Sequence, residues 1–298
     1  MRIVSLLPAA TEIVSALGLA DCLVGRSHEC DFPEDVLELP ALTRSRLDTS
    51  QPSDVLDREV QRIVGERLPI YALDEERLAA LRPDVVVTQE ACDVCAISKE
   101  QVLGTLCRIA SEAQVVSLLP KRLGHIFDDV ERVADACGVH ERGARLGAGL
   151  RARVDAVRLR RPAERPRVAV VEWLAPPMLA GHWVPEAIEA AGGIPLGPLP
   201  GDRSPYATWD EISALRPDAI VVAACGFDLH RTRRESLAFA KALHALAPRV
   251  LLLDGNAYLN RPGPRVVEAI ETVAAWLAGG PVAAERGMDL AEATIAAR

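Results

Sequence analysis

Short apolar runs alternate along the chain with longer stretches in which apolar residues recur at helical spacing. The runs are rich in Val, Ile and Leu, and their length is typical of strands that are buried on both faces. The predicted strands are Ile3–Leu7, Cys22–Val24, Val85–Thr88, Val115–Leu118, Val168–Glu172, Ala219–Ala223 and Val250–Leu253. Strands that alternate with helices predict parallel sheets covered by helices.

The helical stretches carry recognisable ends. A helix is predicted over Thr11–Leu17 and another over Glu186–Ala191, because a glycine follows each of them and glycine commonly ends a helix. A longer periodic stretch runs from Leu123 to Arg160 and is followed by a basic, proline-broken segment. We interpret this stretch as a connecting helix and then a surface linker.

The chain also repeats a short motif. Leu81-Arg82-Pro83-Asp84 precedes one predicted strand, and Leu215-Arg216-Pro217-Asp218 precedes another. In both places a helix ends, proline breaks it and a buried strand follows. This echo indicates two similar lobes, although the same motif also serves as an ordinary connection from a helix to a strand.

The predicted fold class is therefore α/β, with two Rossmann-like lobes of mostly parallel sheet, a long helix that joins them and a ligand cleft between them. The expected boundaries are an N-terminal lobe over residues 1–120, a connecting helix and linker over 121–162, a C-terminal lobe over 163–278 and a tail over 279–298.

Composition narrows the function classes. The 298 residues include 34 Lys and Arg against 42 Asp and Glu, for a net charge of −8, which gives no electrostatic footprint for nucleic acid. No apolar run is long enough to predict a transmembrane segment, and the N-terminus lacks the pattern of a secretory signal. We expect a cytoplasmic protein, whose 7 cysteines are thiols or metal ligands rather than disulfides.

Thiols follow predicted strands in both lobes. The candidate metal ligands are Cys30, Cys92, Cys95 and Cys225. Because ligands of parallel sheets bind beyond the carboxyl ends of the strands, we expect these thiols to lie on one side. Four thiolates suit zinc or an iron–sulfur cluster. The Cys92-x-x-Cys95 spacing also fits a redox pair, and all four thiols also fit simple packing.

The same loops carry candidate ligand-binding residues. Imidazoles of His28 and His182 suit coordination of cobalt or another metal, while a structural hydrogen-bonding role is the alternative. Four aromatic residues suit a wall against a planar macrocycle, while core packing is the alternative. These aromatic residues are Trp173, Trp183, Phe227 and Tyr258. The polar candidates of the loops are Glu29, Asp228 and Asn256.

Nothing in the chain pairs a nucleophile with an acid or base. Ser5 and Ser27 lack the GxSxG setting of acyl-transfer enzymes, and no carboxylate is matched to a nucleophile by spacing. A ligand-binding protein is therefore the expectation, rather than an enzyme.

Several stretches resemble a known family, the class III periplasmic-binding-protein fold in its vitamin B12-binding branch, which serves ABC transporters. They are Ser5-Leu6-Leu7-Pro8-Ala9-Ala10-Thr11-Glu12, the Leu81-Arg82-Pro83-Asp84 motif and Asp254-Gly255-Asn256. A narrower resemblance, to cobalamin-binding proteins, rests on His28-Glu29-Cys30-Asp31-Phe32-Pro33, Cys92-Asp93-Val94-Cys95, Gly181-His182-Trp183 and Cys225-Gly226-Phe227-Asp228.

The resemblance implies a solute-binding protein that holds cobalamin or a related corrinoid in the cleft. It also implies an ABC transporter as partner, whereas the missing export signal argues for a cytoplasmic subgroup and against delivery to a transporter outside the cell. The alternative function is a metalloprotein or redox protein that uses the cleft cysteines to bind an iron–sulfur cluster or zinc.

Overall fold

A computed structural model describes residues 1–66, 68–89, 99–109 and 112–295. The chain divides into two compact units. The first unit comprises Met1–Gln51, Val55–Pro120 and Gly124–Gly149. The second unit comprises Pro52–Asp54, Lys121–Leu123 and Leu150–Arg298.

The first unit is built around a parallel sheet. Up to residue 158 the strands are β1 (Ile3–Ser5), β2 (Leu23–Arg26), β3 (Thr43–Ser45), β4 (Tyr71–Leu73), β5 (Val85–Gln89) and β6 (Gln114–Leu118). The helices are α1 (Pro8–Ala16), α2 (Ser53–Gly65), α3 (Glu75–Leu81), α4 (Lys99–Arg108), α5 (Leu123–Ala136) and α6 (His140–Arg158). Within the described residues the sheet has the order β2-β1-β5-β6, and β3 pairs with β4 as a separate antiparallel ribbon.

The second unit is built around a mixed sheet. Its strands are β7 (Arg167–Leu174), β8 (Pro177–Leu179), β9 (Ile194–Leu196), β10 (Ala219–Val222), β11 (Arg249–Leu253) and β12 (Gly287–Asp289). Its helices are α7 (Val184–Ala190), α8 (Trp209–Ala214), α9 (Leu229–Ala238), α10 (Ala240–Leu246), α11 (Val266–Leu277) and α12 (Leu290–Ile295). In the described part of the sheet the order is β12-β11-β10-β7-β8, and β9 lies parallel to the first half of β7.

Each predicted apolar run is confirmed as a strand. The runs that form β5 and β10 are buried along their whole length, which explains why they show no alternation of polar and apolar residues. Both predicted helices are also found, but each begins two or three residues earlier than predicted. Pro8 and Pro185 lie in the first turns, where proline leaves no intrahelical hydrogen bond unmade.

The repeated motif builds the same clasp in each unit. The backbone N–H of Arg2 donates to Asp84 Oδ2 at 2.7 Å, and the backbone N–H of Arg167 donates to Asp218 Oδ2 at 2.7 Å. Each arginine side chain also donates to a carbonyl oxygen at the end of the helix in the motif: Arg2 to Leu81, and Arg167 to Arg216 and Leu215. The motif thus fastens its strand to the neighbouring strand, which supports the interpretation of two similar lobes.

The connecting segment differs in detail from the expectation for residues 121–162. It contains α5 and α6 rather than one helix, because Gly138 adopts a left-handed φ of 68° and ends the first of them. The chain passes from the first unit to the second within α6, between Gly149 and Leu150.

The tail over 279–298 is part of the second unit rather than peripheral. It contributes β12, which pairs antiparallel with β11, and then α12. Leu290 is completely buried and Ala293 nearly so, both within the core that covers the sheet. Among the described residues, the structure contains no helix with the length and apolar character that crossing a bilayer requires.

Candidate functional site

His28 follows β2 in the first unit and is held by a threonine of the ribbon. Its Nδ1 lies 2.7 Å from Oγ1 of Thr43, and its backbone N–H donates to the same oxygen at 3.0 Å. Oγ of Ser27 lies 2.9 Å from that oxygen as well. Burial is the main cause that lowers the pKa of His28, and the positive charge of the nearby Arg26 lowers it further. The imidazole is therefore neutral at pH 7.

Two arrangements of protons satisfy the contacts around Thr43, and they differ in which ring nitrogen of His28 carries the proton. If the Ser27 hydroxyl donates to Thr43, Oγ1 of Thr43 accepts two hydrogen bonds, from Ser27 and from the His28 backbone N–H. The threonine hydroxyl proton is then donated to Nδ1 of His28. This arrangement uses both hydroxyl protons and places the imidazole proton on Nε2. That atom is buried and has no hydrogen-bond partner within the described residues. In this arrangement Nε2 of His28 donates to a group that approaches it, whereas in the other tautomer, with the Nδ1 proton donated to Thr43, Nε2 is an acceptor that can bind a metal.

Glu29 and Cys30 continue the same loop. The Tyr71 hydroxyl donates to Glu29 Oε1 at 2.9 Å, and the Tyr71 ring lies 5.4 Å from the His28 ring. Cys30 is fully buried and lies 2.9 Å from the Thr11 hydroxyl. Tyr71 and Thr43 were not predicted as site residues, because the short β3–β4 ribbon that carries them leaves no periodic pattern in the sequence.

In the second unit, an aromatic pair lies at the carboxyl ends of β7 and β10. Trp173 is half-buried and its ring lies 5.0 Å from that of Phe227, which is only 2% exposed. The guanidinium of Arg231 covers the Phe227 ring at 3.6 Å from its centre. Phe227 is thus a support for Trp173, and Trp173 is the member of the pair that keeps an accessible surface.

Trp183 and Tyr258 are predominantly structural in their contacts. Trp183 is 8% exposed and donates from Nε1 to the carbonyl oxygen of Leu259 at 2.8 Å. Tyr258 is 9% exposed, and the guanidinium groups of Arg265 and Arg286 lie near its ring. Of the four aromatic residues expected to line the ligand, Trp173 is therefore the one that keeps a substantial accessible surface.

His182 is reached through a hairpin that the sequence did not predict. After β7 the chain turns back as β8, antiparallel to it, so His182 packs against the loop that follows β9. Its backbone N–H donates to the Asp202 carbonyl oxygen at 2.7 Å. The residue has a left-handed φ of 52°, and its ring stacks against Trp183 at 6.0 Å.

Asp228 and Asn256 lie in loops at the carboxyl ends of β10 and β11. Asp228 caps α9 by accepting from the Arg231 N–H at 2.7 Å, and Asn256 accepts from the Arg261 guanidinium at 3.1 Å. Asp254 caps the π-helical turn over Gly255–Leu259, and burial raises the pKa of its carboxyl. These side chains shape the loops, and Asn256 remains partly exposed.

The cysteine hypothesis receives no support from the described residues. Within them, no group of three or more His, Cys, Asp or Glu side chains is arranged to hold a metal ion. Cys30 is buried in the first unit, and Cys225 is exposed in the second. Cys92 and Cys95 lie outside the described residues, so their shared ligation stays a prediction.

Comparison with known proteins points to one family. The family model described as "Periplasmic binding protein" matches residues 3–243. The vitamin B12-binding protein of Vibrio cholerae serotype O1 is 24% identical over 280 residues, which cover 93% of this chain and 88% of that protein.

Solved structures show the same fold. The periplasmic vitamin B12 binding protein of Vibrio cholerae superimposes with a TM-score of 0.66 at 22% identity, covering 93% of this chain and 96% of that one. A periplasmic heme binding protein from Pseudomonas aeruginosa gives a TM-score of 0.69 at 21% identity and covers 97% of both chains. Proteins that bind different tetrapyrroles therefore share this architecture.

Proposed function

Since the chain belongs to the periplasmic binding protein family, we propose that it is a solute-binding protein whose ligand is a corrinoid of the cobalamin type. It performs no covalent chemistry on the ligand. Binding derives from burial of the flat macrocycle against apolar and aromatic surface, and a few polar groups orient it.

The observation that carries this proposal is the position of Trp173. Parallel sheets bind ligands at the carboxyl ends of their strands, and Trp173 lies near that end of β7 with part of its surface accessible. Phe227 and Arg231 support it from behind, so the indole offers a rigid plane at little entropic cost. A macrocycle presents the complementary flat surface. Similarity to vitamin B12-binding relatives over nearly the whole chain favours the corrinoid among macrocycles.

Calorimetry with cobalamin tests the proposal. We expect saturable binding to the wild-type protein and an affinity at least about tenfold lower for Trp173→Ala, because the stacking surface is lost. Leu159→Ala is the control, since Leu159 is an exposed apolar residue of the same unit. Absence of heat and of any spectral change with cobalamin at high micromolar concentration would refute the corrinoid proposal.

Heme is the second candidate, and the neutral imidazole of His28 is the observation that favours it. A neutral imidazole is a common metal ligand, and similar structures include a heme binding protein. Titration with hemin separates the two candidates, because an iron–imidazole bond shifts the Soret band and His28→Gln would abolish the shift. A protein that binds cobalamin but leaves the hemin spectrum unchanged excludes heme as the ligand.

The metalloprotein alternative has its own test. If Cys30, Cys92, Cys95 and Cys225 bind zinc or an iron–sulfur cluster, the anaerobically purified protein contains stoichiometric metal, and Cys92→Ser with Cys95→Ser removes it. Metal-free protein that still binds cobalamin rejects this alternative.

We also propose that the protein works in the cytoplasm, without delivering its ligand to an ABC transporter outside the cell. Cys22, Cys107, Cys137 and Cys225 carry free thiols, which favours a reducing compartment. Cell fractionation tests this: release of the protein by osmotic shock would contradict it.

A further inference from the structure

Two segments of the second unit are held side by side next to His182. The Gly181 N–H donates to Oγ of Ser204 at 3.0 Å, and the His182 N–H donates to the Asp202 carbonyl oxygen at 2.7 Å. A Cβ at Gly181 would lie 2.5 Å from that carbonyl oxygen, so only glycine allows this approach. Arg203, between Asp202 and Ser204, is consequently fixed near the imidazole.

A third segment brings a further cation to the same place. The Leu123 N–H donates to Oε2 of Glu186 at 2.7 Å, and the Arg122 guanidinium donates to Oε1 at 2.6 Å. Glu186 is thereby engaged by Arg122 and by the backbone, while it anchors the segment that carries Lys121. Arg203 thus follows the residue whose carbonyl oxygen accepts from the His182 N–H, and Lys121 precedes the arginine that pairs with Glu186, four residues after His182. Both cations act electrostatically on the His182 imidazole.

The imidazole of His182 has a defined protonation state. Its Nδ1 is buried and has no hydrogen-bond partner among the described residues. Burial lowers the pKa of His182, and Arg203 and Lys121 lower it further, so the ring is neutral at pH 7. Leaving a buried acceptor without a hydrogen-bond partner costs less free energy than leaving a buried N–H group without one. The imidazole proton of His182 therefore belongs on Nε2. His182 is then a hydrogen-bond donor in a positive field, which is a poor environment for a metal cation.

We propose that Arg203, Lys121 and His182 bind an anionic oxygen group of the ligand, a phosphodiester or a carboxylate. Arg203 is exposed, and the described residues offer it no carboxylate partner. Its guanidinium fork matches two oxygens of such a group, Lys121 adds charge and Nε2 of His182 adds a third donor. The inference rests on the proposed function, since it names the part of a tetrapyrrole that this site recognises.

The chemistry of the ligands provides the test. Cobalamin carries a phosphodiester in its nucleotide loop, cobinamide lacks it, and hemin carries propionate carboxylates. Arg203→Gln is measured beside Arg160→Gln, which removes an equal charge from an exposed position of the same unit. We expect cobalamin to bind wild-type protein more tightly than cobinamide. Arg203→Gln should lower the cobalamin affinity about tenfold and leave cobinamide unchanged, and Arg160→Gln should have no effect.

Each outcome decides the inference. If hemin rather than cobalamin loses affinity in Arg203→Gln, the anionic group is a carboxylate and the site stands. If cobalamin or hemin binds and Arg203→Gln changes neither affinity, the site is refuted while the proposed function survives. If no tetrapyrrole binds, the proposed function fails, and inorganic phosphate then tests the site by itself. A phosphate-dependent shift of the His182 ring resonances, absent in Arg203→Gln, supports the site, and unmoved resonances refute it.

Discussion

The indole nitrogen of Trp183 donates a 2.8 Å hydrogen bond to the backbone carbonyl oxygen of Leu259, which ties the start of α7 to the turn that follows β11. Trp183→Phe removes the indole N–H, so the carbonyl oxygen of Leu259 loses this hydrogen bond. We expect a loss of about 1–3 kcal/mol in the free energy of unfolding, measured by urea denaturation. Trp173→Phe is the contrast: it should cost less stability and act mainly on ligand affinity. Equal losses of stability in both variants would contradict this division of roles.

The repeated clasp makes a paired prediction. Asp84→Ala and Asp218→Ala each remove the carboxylate that accepts from a backbone N–H at the start of a strand, from Arg2 just before β1 and from Arg167 at the first position of β7. We expect each variant to lose about 1 kcal/mol of unfolding free energy, because the bonds are charge-assisted but lie near solvent.

Asp155→Ala is the control for the clasp. Within the described residues, the Asp155 carboxylate forms an exposed pair with Arg158 on α6, and such pairs contribute little to stability. A loss in Asp155→Ala as large as in the clasp variants would show that the clasps are no more than surface charge pairs.

Asp129 gives a pH prediction. Burial raises the pKa of its carboxyl from 3.8 to about 6, although Arg132 forms an ion pair with it at 2.7 Å. Because the folded-state pKa exceeds the unfolded one, the stabilising contribution of protonated Asp129 is complete below 3.8 and is lost as the pH rises through about 6. Relative to Asp129→Asn, the wild-type protein should lose up to about 3 kcal/mol across this range.

Chemical denaturation of both proteins at a series of pH values measures this difference. Asp155→Asn, which removes a carboxylate from an exposed position, is the control variant measured beside it. A difference between wild type and Asp129→Asn that stays constant over this range would show that the Asp129 carboxyl titrates normally.

The thiols should differ in reactivity. Cys107 and Cys225 are exposed, whereas Cys30 and Cys137 are buried, and burial raises the pKa of Cys137 to about 11. Alkylation of the native protein should therefore label Cys107 and Cys225 within minutes, and Cys30 and Cys137 only after denaturation. Peptide mass spectrometry measures the label at each thiol. Rapid labelling of Cys30 in the native protein would contradict its burial beneath Thr11.

The strands and the doubled architecture were readable from the sequence. Fully buried strands leave continuous apolar runs, as in β5 and β10, and the Arg-Pro-Asp motif marked both lobes because its geometry depends on local backbone and side-chain chemistry. The cap at Asp228 is equally local, since its carboxylate reaches a backbone N–H only three residues away.

Only the tertiary structure decided which candidates keep an accessible surface. A tryptophan near the end of a strand or helix looks the same in the sequence whether part of its surface is accessible, as for Trp173, or whether it is buried and bonded to a distant carbonyl oxygen, as for Trp183. The hairpin at β8 reverses the chain before His182, so the carboxyl-end rule alone could not place that residue. Arg203 comes to His182 through backbone contacts between segments about twenty residues apart, and Lys121 through an anchor at Glu186 more than sixty residues away. Such contacts depend on how the whole unit packs, and no local pattern encodes them.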